Sequence, residues 1–131
     1  MSVHRAVIFQ RSARFAYRTA DGWQHYPLRW GRHGRPLPGQ YLVRLRYRAA
    51  LGNQLVYQWS LTGGVMLSGW PQGNGEPGVP RRTIGLTVQD AAQLAQWLSI
   101  GDLIVVVRGT QVIGESFDGP LTSTYGFSLT E

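Results

Sequence analysis

Between Gln40 and Leu61 the chain alternates with a period of two, and no other pattern limits its fold as much. Tyr41, Val43, Leu45 and Tyr47 interleave with Arg44, Arg46 and Arg48. After Gly52-Asn53, the residues Leu55, Tyr57, Trp59 and Leu61 repeat the apolar series. Successive side chains of a strand point to opposite faces, so this period specifies strands with one packed and one wet face. Gly63-Gly64 then leads into a third run, Val65 to Trp70. Residues 41–70 therefore read as an antiparallel meander. On a regular strand the three arginines would form a row with a spacing of about 7 Å.

The flanking sequence has the same character. Ala6 to Phe9 reads as a short strand, and Arg14 to Thr19 alternates around Phe15 and Tyr17 before an Asp21-Gly22 hairpin turn. Pro27 to Gly39 is rich in Pro and Gly and reads as a loop carrying Arg29, Trp30, Arg32, His33 and Arg35. Pro71 to Pro80 is a long Gly/Pro loop of the kind that is usually functional or mobile. One helix is expected near residues 88–98: Thr87 can cap it, Asp90 follows three residues later, and Val88, Ala91, Ala92, Ala95 and Leu98 recur at helical spacing. Gly101 suits a left-handed stop. Leu103 to Val107 is a β-branched run suited to a central strand, with further strands expected at 111–116 and 125–129. The expected fold is mainly β, an antiparallel β-sandwich or partly open barrel with one helix, forming a single domain over residues 1–131.

The chemistry-bearing residue types are sparse. Cysteine is absent, which removes disulfides, thiolate nucleophiles and Cys-ligated zinc. Lysine is absent too, so no phosphate loop of the Walker type exists, and every one of the 13 basic residues is arginine. A GC-rich coding bias is one explanation of that choice; selection against lysine modification, or for the planar guanidinium fork that grips carboxylate and phosphate, is the other. No serine sits in a Gly-x-Ser-x-Gly elbow, and His4, His25 and His33 fall in the first 33 residues without metal-ligand spacing. Gly73-x-Gly75-x-x-Gly78 matches a dinucleotide-loop string but is interrupted by Pro77 and precedes no helix. No catalytic residue, metal or cofactor is implied.

Charge is the most uneven property. Residues 1–50 hold ten arginines against Asp21 alone, whereas residues 51–131 hold three arginines against six acids, giving +9 and −3. Such asymmetry points to an acidic or polyanionic partner for the first half. The candidate binding residues are Arg29, Trp30, Arg32 and Arg35 in the loop and Arg44, Arg46 and Arg48 on the strand. Residues 26–40 resemble the strand-rich N-terminal regions of some phage-type integrases, a resemblance without a diagnostic residue that implies no activity.

Three functions are compatible with these features. The first is a non-enzymatic interaction or structural domain, of the kind found in phages and mobile elements, that self-associates or docks on an acidic protein surface as adaptor or inhibitor. The second is a nucleic-acid-binding module using the Arg44/Arg46/Arg48 row and the Arg/Trp loop 29–35. The third is a small hydrolase using Glu115 and Asp118. With no apolar signal core and no membrane-spanning stretch, the expected location is the cytoplasm, with no membrane partner.

Overall fold

The computed structural model describes residues 6–71 and 78–109. Nine strands and one short helix occur among them, and the expected strands at 111–116 and 125–129 lie outside the described residues, as do His4, Glu115 and Asp118. The strands are β1 (Ala6–Phe9), β2 (Arg14–Thr19), β3 (Gly22–Pro27), β4 (Arg29–Trp30), β5 (Gly39–Leu51), β6 (Gln54–Leu61), β7 (Val65–Gly69), β8 (Thr83–Leu86) and β9 (Leu103–Val107). They form one mixed sheet in the order β3-β2-β1-β9-β5-β6-β7-β8-β4. The pairs β1/β9 and β7/β8 are parallel and the others antiparallel.

The sheet curls without closing. Its two edges, β3 and β4, are consecutive in the chain, and one core cluster takes Tyr26 and Leu28 from that region together with Trp59, Leu67 and Ile84 from the other half. This is the expected mainly β, partly open architecture. β1 is buried at all four positions because it packs on both faces: Ala6 and Ile8 enter the main core, while Val7 and Phe9 join Ala16, Val105 and Val107 beneath Trp23. Its neighbour β9 divides in the same way, which explains the unbroken apolar runs in both strands.

The helix α1 (Val88–Leu94) buries Ala91 and Leu94 in the main core. The Thr87 hydroxyl accepts the Asp90 backbone N–H at 3.0 Å, as the capping pattern predicts. Gly69 lets the helix approach, since a Cβ there would lie 2.9 Å from the Ala91 Cβ. α1 ends at Leu94 rather than at 98. Tighter turns follow, and the Leu98 carbonyl accepts Trp59 Nε1 at 3.1 Å and Arg46 Nη1 at 3.5 Å. Tyr17 of β2 donates to the Trp97 carbonyl at 3.2 Å and stacks on its ring, tying one half of the sheet to the end of the helical segment. No described helix is long and apolar enough to cross a membrane.

Two local expectations are corrected. First, the loop 27–39 contains β4, whose Arg29 and Trp30 pair with Gly85 and Ile84 of β8. Second, the row of three arginines does not form. Val43 lies opposite Leu61 and Leu45 opposite Ser60, so Arg44 is the extra residue of a β-bulge. Adjacent residues on β6 face opposite ways, and the slip sends Val43 into the core while Leu45 and Tyr47 turn out, 57% and 38% exposed. Arg46 and Arg48, opposite Trp59 and Tyr57, instead lie 5.8 and 5.6 Å from the Tyr57 ring centroid.

Candidate functional site

Three buried polar residues occur among those described, Gln58, Ser68 and Thr83, and all belong to β6, β7 and β8. Register places them on one face of the sheet: Gln58 pairs with Ser68, Ser68 with Gly85, and Met66 with Thr83. The opposite face carries Trp59, Leu67 and Ile84 into the core. Burying a hydroxyl or amide requires hydrogen bonds, and these are present. Gln58 Nε2 donates to Ser68 Oγ at 2.9 Å, Ser68 Oγ donates to the Gly69 carbonyl at 2.7 Å, and Thr83 Oγ1 donates to the Arg81 carbonyl at 3.2 Å.

The backbone around Thr83 is held from three sides. The Gly31 N–H donates to the Thr83 carbonyl, the Arg82 N–H to the Arg32 carbonyl, and the Met66 N–H to the Arg82 carbonyl. A Cβ at Gly31 would overlap the Pro80 carbonyl oxygen, and one at Gly34 would lie 2.5 Å from the Thr83 oxygen. Only glycine allows the segment 31–34 to wrap this closely around Pro80–Thr83. Both segments carry a non-glycine residue in the left-handed region, His33 at φ 54° and Arg82 at φ 57°. Such residues cost about 1–3 kcal/mol each and concentrate at functional sites. The Arg82 side chain is fixed as well, with Nη2 2.7 Å from the Gly63 carbonyl and Nε 3.2 Å from that of Gly64.

Of the residues singled out from sequence, Arg29, Trp30 and Arg32 flank β8 and the turn that leads into it. The Arg35 guanidinium lies 5.8 Å from the Trp30 ring centroid. Arg44, Arg46 and Arg48 sit apart, on the β5–β6 hairpin. Sequence reasoning passed over Ser68, Thr83, Arg81 and Arg82. The adjacent Arg81-Arg82 pair was a visible signal, whereas the buried hydroxyls were not, because serine and threonine are ordinarily exposed.

The electrostatics are one-sided. The described residues include twelve arginines and three aspartates. One of those, Asp102, accepts the Ser99 N–H in a turn, the role its position after Gly101 suggests. Two groups of the β2–β3 hairpin region titrate away from their ordinary values. Burial and the neighbouring Arg14 charge lower His25, and burial together with Asp90 pushes Tyr26 up to about 12. Among the described residues no cluster of His, Cys, Asp or Glu could hold a metal ion.

Chemically, the site holds two hydroxyls in fixed positions. A serine or threonine nucleophile needs a base to take its proton. Here both protons are committed to backbone carbonyls, and among the described residues no histidine or carboxylate bonds to either oxygen.

No family model matches the sequence, and no curated protein is significantly similar to it. Solved structures are. The Bdellovibrio bacteriovorus protein Bd1075 superposes with a TM-score of 0.62 at 16% identity over 88% of this chain. An L,D-transpeptidase from Mycobacterium tuberculosis H37Rv gives 0.60 at 18% identity over 77%. The fold is that of the L,D-transpeptidases. L,D-transpeptidase 1 of M. tuberculosis gives 0.57 at 18% identity over 80%. This chain covers 51%, 56% and 62% of those three chains, less than two-thirds of each.

The likeness corrects the functional expectations. An oligomeric or adaptor domain of phage type is not what this architecture resembles, and the solved neighbours are enzymes in name. The nucleic-acid reading also loses its geometric basis, since the bulge at Arg44 dissolves the arginine row and Arg35 covers Trp30. The hydrolase reading rested on Glu115 and Asp118, which lie outside the described residues.

Proposed function

We propose that this chain is a transpeptidase-fold domain that engages the peptide stems of peptidoglycan without cysteine acyl transfer. One observation carries the reading: the fold matches L,D-transpeptidases while the sequence contains no cysteine. A thiolate attacks readily because a fraction is ionised near neutral pH, whereas an alcohol requires an adjacent base. Neither Ser68 nor Thr83 has such a base among the described residues. What remains at the site is recognition: a strained, tightly strapped backbone bordered by arginines. Stem peptides carry free carboxylates, and the guanidinium fork is suited to them. The reading places the protein at the cell wall rather than in the cytoplasm.

Co-sedimentation with purified sacculi, followed by mass spectrometry of the muropeptides, tests both halves of the proposal. The expected result is retention on sacculi with an unchanged muropeptide profile. Failure to sediment would overturn the wall assignment. New cross-links or trimmed stems would overturn the non-covalent assignment and call for Ser68→Ala and Thr83→Val variants to locate the nucleophile.

A further inference from the structure

We infer that the back of the β5–β6 hairpin, the face turned away from Ser68 and Thr83, docks on an anionic lipid bilayer: Arg46 and Arg48 meet headgroup phosphates, and Leu55 and Ile100 enter the boundary with the acyl chains. The inference goes beyond the wall reading and does not depend on it. Register assembles the face. Arg46 lies opposite Trp59, Arg48 opposite Tyr57 and Ala50 opposite Leu55, so these side chains share one side of the hairpin, while Gln58 and Ser68 share the other. The two guanidinium groups are gathered on a single ring, 5.8 and 5.6 Å from the Tyr57 centroid. The turn after the helical segment is seated beside them. Arg46 Nη1 donates to the Leu98 carbonyl at 3.5 Å, and the Gly101 N–H donates to the Val43 carbonyl at 2.9 Å. That turn carries Ile100, which like Leu55 is 60% exposed, and its carboxylate, Asp102, accepts the Ser99 N–H.

Arg46, Arg48 and Ala50 are exposed as well, so charge and apolar surface stand side by side. From residue 22 to residue 75 the sequence has no aspartate or glutamate, and the hairpin therefore brings arginine but no carboxylate of its own. Arginines alone keep a strand pair soluble and unpaired, but they do not account for the exposed leucine and isoleucine. A dissolved polyanion engages only the charges, and an apolar partner has to strip water from the guanidinium groups. An anionic bilayer serves both, because phosphates lie directly above the acyl chains. Arginine reaches phosphate along an apolar stem while its neighbours sink, and a tyrosine ring suits the level between. Such docking turns the Ser68/Thr83 face away from the bilayer. The expectation of no membrane partner rests on the absence of a spanning stretch, which a surface that lies on the bilayer does not need.

Vesicle flotation with the full chain tests the docking, using phosphatidylcholine vesicles and vesicles enriched in phosphatidylglycerol. The wild type should float with the anionic vesicles and stay behind with the neutral ones, and salt should weaken its binding. Arg46→Gln/Arg48→Gln should lower the partition coefficient about thirtyfold, and Arg48→Gln alone, which spares the Arg46 bond to Leu98, about fivefold. Leu55→Ser/Ile100→Ser should weaken binding to the same vesicles, and Arg32→Gln/Arg81→Gln, which removes equal charge elsewhere, should leave it within about twofold of wild type. Melting curves confirm that the variants are folded. No flotation, equal flotation with both vesicles, or the same loss in the Arg32/Arg81 variant overturns the docking. So does undiminished binding by the Leu55/Ile100 variant, which would mark a contact through charge alone. A concentration-dependent dimer that the Leu55/Ile100 variant dissolves, without flotation, would assign the face to a second copy. Sacculus retention by a wild type that does not float would sink the docking and leave the wall reading standing. Flotation without sacculus retention would do the reverse.

Discussion

Replacing Gly31 by alanine tests the claim that the segment 31–34 is seated on Pro80–Thr83. A methyl group at Gly31 would overlap the Pro80 carbonyl oxygen and lie 2.9 Å from that of Thr83. Both obstacles are backbone atoms, so no side-chain rotation relieves them. Overpacking of this kind costs about 1–3 kcal/mol. Relief by displacement would also break the Gly31 N–H bond to Thr83 and the Arg82 N–H bond to Arg32, each worth about 1 kcal/mol. The expected loss is about 3–5 kcal/mol, a large share of the roughly 5–15 kcal/mol available to a domain of this size. Urea unfolding followed by far-ultraviolet circular dichroism measures it as a fall in midpoint at constant slope. Gly78→Ala is the control, because a Cβ there meets nothing within 4 Å and the backbone is not left-handed. The seating would be refuted by a Gly31→Ala midpoint within about 0.5 kcal/mol of the control, the range of ordinary surface substitutions.

Three further outcomes follow from single residues. Tyr26 buries its hydroxyl without a hydrogen-bond partner among the described residues, so Tyr26→Phe should raise Tm, with a gain of about 1–3 kcal/mol. The same phenol has its folded pKa raised from 10 to about 12, so wild-type stability is full below pH 10 and falls as the pH rises towards 12. Alkaline melts of Tyr26→Phe should lack that component. His25 titrates the other way: its lowered folded pKa makes its contribution complete above about pH 6.5 and lost as the pH falls through the folded value. His25→Gln should flatten the urea midpoint between pH 7.5 and 5, and an unchanged acid slope would count against burial of the ring. Trp59→Ala removes a fully buried ring and its bond to the Leu98 carbonyl, and should cost about 3–5 kcal/mol in urea melts.

The local grammar of this chain was legible without coordinates. The alternation of β6, the turn at Gly52-Asn53, the Thr87 cap and the buried run of β9 follow from side-chain period, turn chemistry and capping, which act within a few residues, whereas the hairpin expected at Asp21-Gly22 turns one residue earlier, at Ala20-Asp21, because Thr19 pairs with Gly22. The absence of cysteine, and the chemistry that this removes, also belongs to the sequence alone. What the tertiary structure decided is whatever depends on residues far apart in the chain. The bulge at Arg44 appears only when β5 is set against β6, because the strand's own alternation continues unbroken through it. Ser68 and Thr83 are ordinary polar residues until β7 and β8 pair in parallel and bury them on one face. Arg32 and Arg82 stand fifty positions apart, and only the hydrogen bond between their backbones turns two basic loops into one site. A strand pattern specifies which face is apolar; the partner strand, supplied by the fold, specifies what that face meets.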